Sequence, residues 1–171
     1  MSDFALCAEC GESHPLADVE LSFRRAQPLA ELSEQERVPE RCKESHDLSA
    51  LWGERDSDHR YFVRGVMPFA VRGRNTDYSL GVWVEVDKKW FDRVLELWDD
   101  ENQSEEPPFP GLLANIIPRH EPTLGLQVEV RLTGPRTRPQ FFLRESVHLL
   151  YLEQVHGISS HQAAQYTALV S

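Results

Sequence analysis

A strand that runs directly into a helix is predicted by residues 78–98, which read YSLGVWVEVDKKWFDRVLELW. In 78–86 the apolar residues stand at alternate positions, as in a β-strand with one buried face, and Trp83 lies on the opposite face. Asp87 can cap a helix over 88–98, where apolar residues recur at helical spacing. This segment therefore predicts a sheet against which a helix packs.

The rest of the chain extends this pattern on both sides. Further strands are predicted at 60–67, 112–117, 126–132 and 140–143, and further helices at 34–44, 146–156 and 160–170. The helix at 34–44 rests on a capping-box spacing from Ser33 to Glu36, and Gly157 separates the last two helices. Strands that follow one another without a helix in every connection favour an α+β fold. We expect an antiparallel or mixed sheet of about five strands, with helices packed mainly on one side and an N-terminal cysteine loop.

Length and charge limit the classes of function. The 171 residues suit a single domain spanning 1–171, made of a cysteine loop and helix in 1–47 and a sheet with helices in 60–171. The formal net charge of -10 would repel a polyanion, so no nucleic-acid partner is expected. No apolar run has the roughly 20 residues of a membrane span, and residues 1–10 lack the basic start and the long apolar stretch of a secretory signal. We therefore expect a cytoplasmic protein without a membrane partner.

The sharpest local motif is the pair Cys7 and Cys10, a C-x2-C turn that brings two thiolates to one tetrahedral metal ion. A complete zinc site needs two further ligands, and Cys42 with His46 forms a C-x3-H pair that can supply them. His14 is the alternative ligand. The sequence thus predicts a structural zinc ion on Cys7, Cys10, Cys42 and His46. Two reduced, unliganded thiols are the competing interpretation.

Three other groups of polar residues have the residue types of a binding site. They are the carboxylates of Glu96, Asp99, Asp100, Glu101, Glu105 and Glu106, the C-terminal group His148, Glu153, His156 and His161, and the arginines Arg131, Arg136 and Arg138. The carboxylates lack the spacing of a calcium loop, so a solvated acidic loop is favoured. The C-terminal group lacks an HExxH motif and is interpreted as surface residues. The arginines either hold an anion or lie solvated in a turn, and the latter is favoured.

Several short motifs, in order along the chain, resemble a known family. They are Cys7-x-x-Cys10-Gly11, Phe62-Val-Arg-Gly65, Gly81-Val-Trp-Val84, Phe91 with Leu95-Glu-Leu-Trp98, Pro122-Thr-Leu124, Arg138-Pro139 and Gln154-x-x-Gly157-Ile158. Together they resemble the bacterial family called domain of unknown function 2199, over residues 7–158. The resemblance implies a cytosolic bacterial protein and carries no established activity.

The chain departs from that family at two places. Ser49 stands where its members often have a cysteine, and His148-Leu149 stands where they have His-Pro-Leu. If the cysteine is a metal ligand in those proteins, the zinc site here is either lost or rebuilt with Cys42.

Three functional hypotheses follow from the sequence. The first is a non-enzymatic protein-interaction module with an acidic surface and the zinc loop, for example an immunity-like protein against a basic toxin. It is favoured because no glycine-rich phosphate loop, nucleophile elbow or other local catalytic signature is found. The second is an enzyme that binds a small molecule in a pocket on the sheet, with Arg64, His120 or Arg138 as polar groups. The third is a metal or redox sensor built on the cysteine loop.

Overall fold

The computed structural model describes residues 4–6, 13–15 and 19–170. Its strands are β1 (Phe4–Leu6), β2 (Ser13–Pro15), β3 (Cys42–Glu44), β4 (Leu48–Leu51), β5 (Arg60–Phe69), β6 (Tyr78–Val86), β7 (Phe109–Leu113), β8 (Gln127–Arg131) and β9 (Gln140–Leu143). Its helices are α1 (Gln27–Ala30), α2 (Lys88–Glu96), α3 (Leu149–His156) and α4 (Ser160–Thr167), with short 3-10 turns at Asp56–Asp58 and Gln103–Glu105.

Seven of these strands form one sheet, in the spatial order β3 to β9. All neighbouring strands in that order are antiparallel, and β1 pairs with β2 in a separate hairpin. A parallel bridge between Val66 of β5 and Gln140 of β9 joins these two strands, so that the five strands from β5 to β9 form a closed ring. The sheet is therefore mixed, which confirms the predicted α+β class.

The ring is filled by the apolar residues that alternate along its strands. Val63, Met67, Leu80, Val82, Val128, Val130 and Phe141 are each 1 % exposed or less and belong to one core cluster. The helices also contribute to this cluster. Helix α2 and the residue after it contribute Val94 and Leu97, and helices α3 and α4 contribute Leu150, Ala163 and Tyr166. The period-two pattern of the sequence thus corresponds to the inner face of the ring.

A second, smaller cluster covers the outer face of β5 and β6. Phe62 and Trp83 lie there, as the alternation predicts for Trp83, and both are buried beneath residues 26–32. The indole Nε1 of Trp83 donates to the carbonyl of Phe23 at 3.1 Å. Residues 19–32 therefore form a layer outside the sheet rather than a free N-terminal arm.

The predicted helix at 34–44 is wrong. The capping contacts are present, since Ser33 and Glu36 each donate a backbone N–H to the other's side chain, at 3.0 and 3.2 Å. The turn does not continue, because Pro39 has no N–H to donate and disfavours helical backbone at the residue before it. The chain passes instead into β3, which pairs with β4.

For the other elements, the predicted and observed bounds differ by a few residues. The predicted strand at 112–117 overlaps β7 only at residues 112 and 113, because β7 spans Phe109–Leu113, and the strand at 140–143 has the predicted bounds. Gly157 separates α3 from α4 with a φ of 82°, a backbone conformation that glycine adopts without strain. Within the described residues, no helix has the length and apolar character that crossing a membrane requires.

Candidate ligand pocket and buried polar cluster

A seam opens in the sheet along one edge of β5. The first half of β5 pairs with β4 as far as Val63, and further along β5 a single bridge joins Val66 to Gln140 of β9. Between them, the N–H of Arg64 donates to the carbonyl of Asp47 at 2.9 Å, and the N–H of Val66 donates to that of Pro139 at 2.9 Å. The two partner strands diverge here, so Arg64 and the following Gly65 face a gap.

A cavity of about 320 Å³ occupies this gap, which we call the seam pocket. Its charged lining comes from the three arginines Arg64, Arg136 and Arg138 and the two acids Asp47 and Asp99. Arg64 and Arg138 are the groups that the sequence assigned to a pocket on the sheet. The basic cluster of 131–138 contributes two of its three arginines, because Arg131 points elsewhere and pairs with Glu129 at 2.9 Å.

Arg64 is the most constrained of these groups. Its Nη2 donates to Ser22 Oγ at 3.1 Å, its Nη1 donates to the carbonyl of His46 at 3.3 Å, and its guanidinium lies 5.6 Å from the ring centroid of Trp83. Its Nε is buried and has no hydrogen-bond partner among the described residues. Burial, with a smaller effect of Arg138, lowers the pKa of this guanidinium. Arg64 is thus held in place with one buried donor left over.

The loop between β8 and β9 carries the other two arginines and is fixed by its own hydrogen bonds. Thr137 Oγ1 donates to the carbonyl of Gly134 at 2.7 Å, and the N–H of Gly134 donates to the side chain of Gln103 at 3.2 Å. Arg136 has a φ of 65°, which is uncommon for a residue with a side chain. Arg138 Nε lies 3.4 Å from an oxygen of Asp47, so its charge is partly balanced.

The remainder of the seam pocket is apolar. Val63, Val94 and Leu132 are buried members of the core cluster, and Trp98, which is 41 % exposed, also lines the cavity. The pocket thus combines cationic groups with an apolar wall. This combination suits a molecule that has a negatively charged group and an apolar body.

A second group of polar side chains lies where β5 ends and β6 begins. The hydroxyl of Tyr166 donates to Glu153 Oε2 at 2.6 Å, and His120 Nε2 lies 2.6 Å from the same hydroxyl. The Tyr166 ring stacks on Tyr78 of β6 with centroids 5.9 Å apart. We call His120, Glu153 and Tyr166 the buried triad.

Burial changes the acid–base properties of the buried triad. It raises the pKa of the Glu153 carboxyl, an effect that the hydrogen bond from Tyr166 partly opposes. It also lowers the pKa of His120, and nearby His148 adds to that shift. The pKa of Tyr166 is raised by burial and by its bond to Glu153. At neutral pH the histidine and the tyrosine are therefore uncharged.

The interpretation of His148 and Glu153 as surface residues is wrong, since each is only 8 % exposed. His148 caps α3, because its Nδ1 accepts from the N–H of Leu150 at 3.1 Å. Its Nε2 lies 3.2 Å from the carbonyl of Pro122 and must carry the proton donated there. His156 is exposed, as expected. Tyr166 was missed, because no local motif links it to groups that precede it by 13 and 46 residues.

The predicted zinc ligands fall into two sets. Cys7 and Cys10 lie outside the described residues, as does the side chain of the alternative ligand His14. Cys42 is buried in the outer cluster, and burial together with Glu44 raises the pKa of its thiol. His46 is exposed between β3 and β4. In the part of the chain that the structure describes, no three His, Cys, Asp or Glu side chains lie close enough to hold a metal ion, and the zinc site stays a prediction.

The acidic residues of 96–106 are partly paired with one arginine of α2. Arg93 lies 3.0 Å from Glu96 and 2.9 Å from Glu106, which holds the pKa of the Glu106 carboxyl below its usual range. Asp99 and Asp100 are exposed, as expected for a solvated loop.

Comparison with known proteins identifies the family to which the chain belongs. The family model described as uncharacterized protein conserved in bacteria (DUF2199) matches residues 6–158. No curated protein and no solved structure matches the chain.

Proposed function

Because the chain belongs to DUF2199, a bacterial family whose description states no activity, we propose a function from its own geometry: it binds a small organic carboxylate in the seam pocket. The observation that carries the proposal is the lining of the seam pocket, in which Arg64, Arg136 and Arg138 adjoin an apolar wall. Guanidinium groups bind a carboxylate through charge-assisted hydrogen bonds, which are stronger than hydrogen bonds between neutral groups.

The charge of the seam pocket favours a ligand with a single negative charge. Three arginines and two acids line it, which leaves one net positive charge. The protein as a whole carries -10, so a polyanion would be repelled on approach. A guanidinium matches the two oxygens of a carboxylate, which gives this group an advantage over a point-like anion.

The apolar wall and the volume favour a compact apolar body. A cavity of about 320 Å³ lies at the lower end of the range for small-molecule sites. Val63, Val94 and Leu132 offer no hydrogen-bonding groups on their side chains, so the ligand's body needs none where it meets them. An aromatic or short aliphatic monocarboxylate meets both conditions.

This proposal is the small-molecule alternative of the sequence hypotheses, restricted to binding. The interaction with a protein partner, including a basic toxin, and the sensor hypothesis stay predictions. The net charge of -10 does not conflict with carboxylate binding, because the positive charge is local to the seam pocket.

Binding is tested by calorimetry with benzoate, and with benzyl alcohol as a probe of similar shape without the charge. Tryptophan fluorescence provides a second signal, to which Trp98 in the pocket lining contributes. Benzoate should bind saturably and benzyl alcohol should bind at least about tenfold more weakly, since a hydrogen bond to a charged group contributes about 1.5–3 kcal/mol. Equal affinity for the two probes, or no binding of benzoate, would reject the proposal.

A matched pair of variants assigns the binding to the pocket. Arg138→Gln removes a pocket cation that is 41 % exposed, and Arg131→Gln removes one that is 50 % exposed and outside the pocket. Each arginine has one acidic partner, so the two changes should have similar, small effects on stability. Only Arg138→Gln should weaken benzoate binding, by about tenfold. An equal loss in both variants would indicate a general effect of charge.

A further inference from the structure

Three of the five charged groups that line the seam pocket have partners within the protein. Asp47 lies 3.4 Å from Arg138 Nε, and Arg64 donates to Ser22 Oγ at 3.1 Å. Arg138 also lies close enough to Arg64 to add to the lowering of its pKa by burial. Arg64 and Arg138 therefore form one cationic end of the pocket, and this end is where the carboxylate of the proposed ligand binds.

The carboxylate of Asp99 has no such partner. It lines the same cavity and is exposed, and no hydrogen bond or ion pair joins it to another of the described residues. None of the three arginines of the lining is paired with it, although an ion pair between them would neutralise both groups. Asp99 is therefore a free anionic group in a cavity whose other charges are mostly cationic.

Trp98 supplies an aromatic surface next to this carboxylate. It precedes Asp99 in the chain, lines the same cavity and is 41 % exposed. Its ring stacks on no aromatic ring and lies beneath no cation of the described residues. The face of a tryptophan ring attracts an ammonium group, and a carboxylate accepts hydrogen bonds from the N–H groups of that ammonium. Trp98 and Asp99 together thus have the chemistry of a site for a primary ammonium group.

Gln103 ties this part of the lining to the loop that carries the arginines. It is only 6 % exposed, its Nε2 donates to the carbonyl of Leu97 at 2.9 Å, and its Oε1 accepts from the N–H of Gly134 at 3.2 Å. Leu97 directly precedes Trp98, and Gly134 belongs to the loop between β8 and β9. One buried side chain therefore joins the backbone on the two sides of the cavity, so the protein fixes their separation before a ligand binds.

We infer that the ligand of the seam pocket is a small amino acid, a compound with both a carboxylate and a primary ammonium group. Its carboxylate binds at Arg64 and Arg138, its ammonium group binds at Trp98 and Asp99, and its apolar body meets the valine and leucine side chains of the wall. An amine without a carboxylate would meet three arginines, and a carboxylate without an ammonium group would leave Asp99 unmatched. This inference rests on the proposed carboxylate binding and adds a second charged group to the ligand.

The test compares ligands that differ in the ammonium group alone, by calorimetry on the intact protein at neutral pH. L-Phenylalanine is paired with 3-phenylpropanoate, and 4-(aminomethyl)benzoate is paired with 4-methylbenzoate, so that the two pairs differ in the separation of the charged groups. In at least one pair the amino acid should bind about fivefold more tightly, as expected for a cation–π contact and an ion pair at exposed groups. A gain of less than about twofold in both pairs overturns the inference.

Benzoate binding decides the proposed function separately. If benzoate binds and neither pair shows a gain, the carboxylate site stands and the amino-acid ligand is refuted. If none of the compounds without an ammonium group binds, the carboxylate site is refuted, and the inference that rests on it is refuted as well.

A matched pair of variants assigns the gain to Asp99. Asp99→Asn keeps the size of the side chain and removes its charge, so the gain from the ammonium group should disappear while 4-methylbenzoate binds no more weakly. Asp100→Asn is the control, because Asp100 is exposed, does not line the pocket, and keeps as asparagine the oxygen that accepts from the N–H of Asn102 at 2.8 Å. The control should retain the gain. A gain that persists in Asp99→Asn, or is lost equally in both variants, would overturn the assignment.

Discussion

Replacing Gly65 with alanine tests the close approach of β9 to β5 beside the seam pocket. A Cβ built on Gly65 would lie 2.5 Å from the carbonyl oxygen of Pro139 and 2.6 Å from Cζ of Phe141. Both distances are shorter than atoms in proteins tolerate, and the Pro139 oxygen belongs to the backbone and cannot rotate away. It also accepts the 2.9 Å hydrogen bond from Val66. The added methyl group must therefore push β9 away or distort β5.

The expected loss of stability follows from these contacts. Overpacking a core position typically costs about 1–3 kcal/mol, and weakening the Val66 hydrogen bond adds about 1 kcal/mol. The lower entropy of unfolded alanine returns about 0.4–1 kcal/mol. We expect Gly65→Ala to lower the free energy of unfolding by about 2 kcal/mol, or the melting temperature by about 4–8 °C for a chain of this size.

Urea denaturation followed by circular dichroism measures this loss, and benzoate titration measures its effect on the seam pocket. Gly73→Ala is the control, because a Cβ there meets nothing within 4 Å and only its φ of 83° opposes alanine. The control should lose about 1 kcal/mol without any change in benzoate binding. A Gly65→Ala protein within about 0.5 kcal/mol of the unchanged protein, with unaltered benzoate binding, would refute the close approach.

Three predictions concern the buried polar residues. His120 has a lowered pKa in the folded state, so the folded protein should lose stability as the pH falls below about 6.5, where the unfolded chain takes up the proton, and His120→Gln should remove that loss. Glu153 has a raised pKa in the folded state, so its contribution to the free energy of unfolding is fully present below about pH 4.5 and is lost as the pH rises. Glu153→Gln should remove this pH dependence. Denaturation measured across the pH range would contradict the prediction if the free energy of unfolding changed with pH by the same amount in both proteins. His148→Ala should cost about 1–2 kcal/mol, because α3 loses its cap, whereas the exposed His156→Ala should stay within about 0.5 kcal/mol in the same denaturation assay.

The elements predicted correctly are those with strong periodicity. β5, β6, β8 and α2 direct most of their apolar residues to the core on one side, and the order of apolar and polar residues reflects this, although β5 and β6 are buried on the other side as well. β3 and β4 were missed because they have three and four residues, too few to show a period. The helix at 34–44 failed because its capping motif was given more weight than Pro39.

The candidate sites were predicted only as isolated residues. Arg64, Arg138 and His120 were singled out for their chemistry, but nothing in the sequence assigned the first two to one pocket and the third to the buried triad. Glu153 was placed on the surface because its helical position alone does not show that Tyr166 covers it. The exposure of a polar side chain depends on what packs over it, and that partner is 13 residues away here.

The sequence by itself determined the charge, the α+β class, most of the strands, and the side chains available for binding. Those properties follow from composition and from contacts between residues a few positions apart. Only the tertiary structure decided that β9 returns to pair with β5, through a bridge between residues 66 and 140. That closure leaves the seam beside Arg64, and the packing of α4 buries the triad. Both depend on contacts between distant parts of the chain, whose free energy no short stretch of sequence contains.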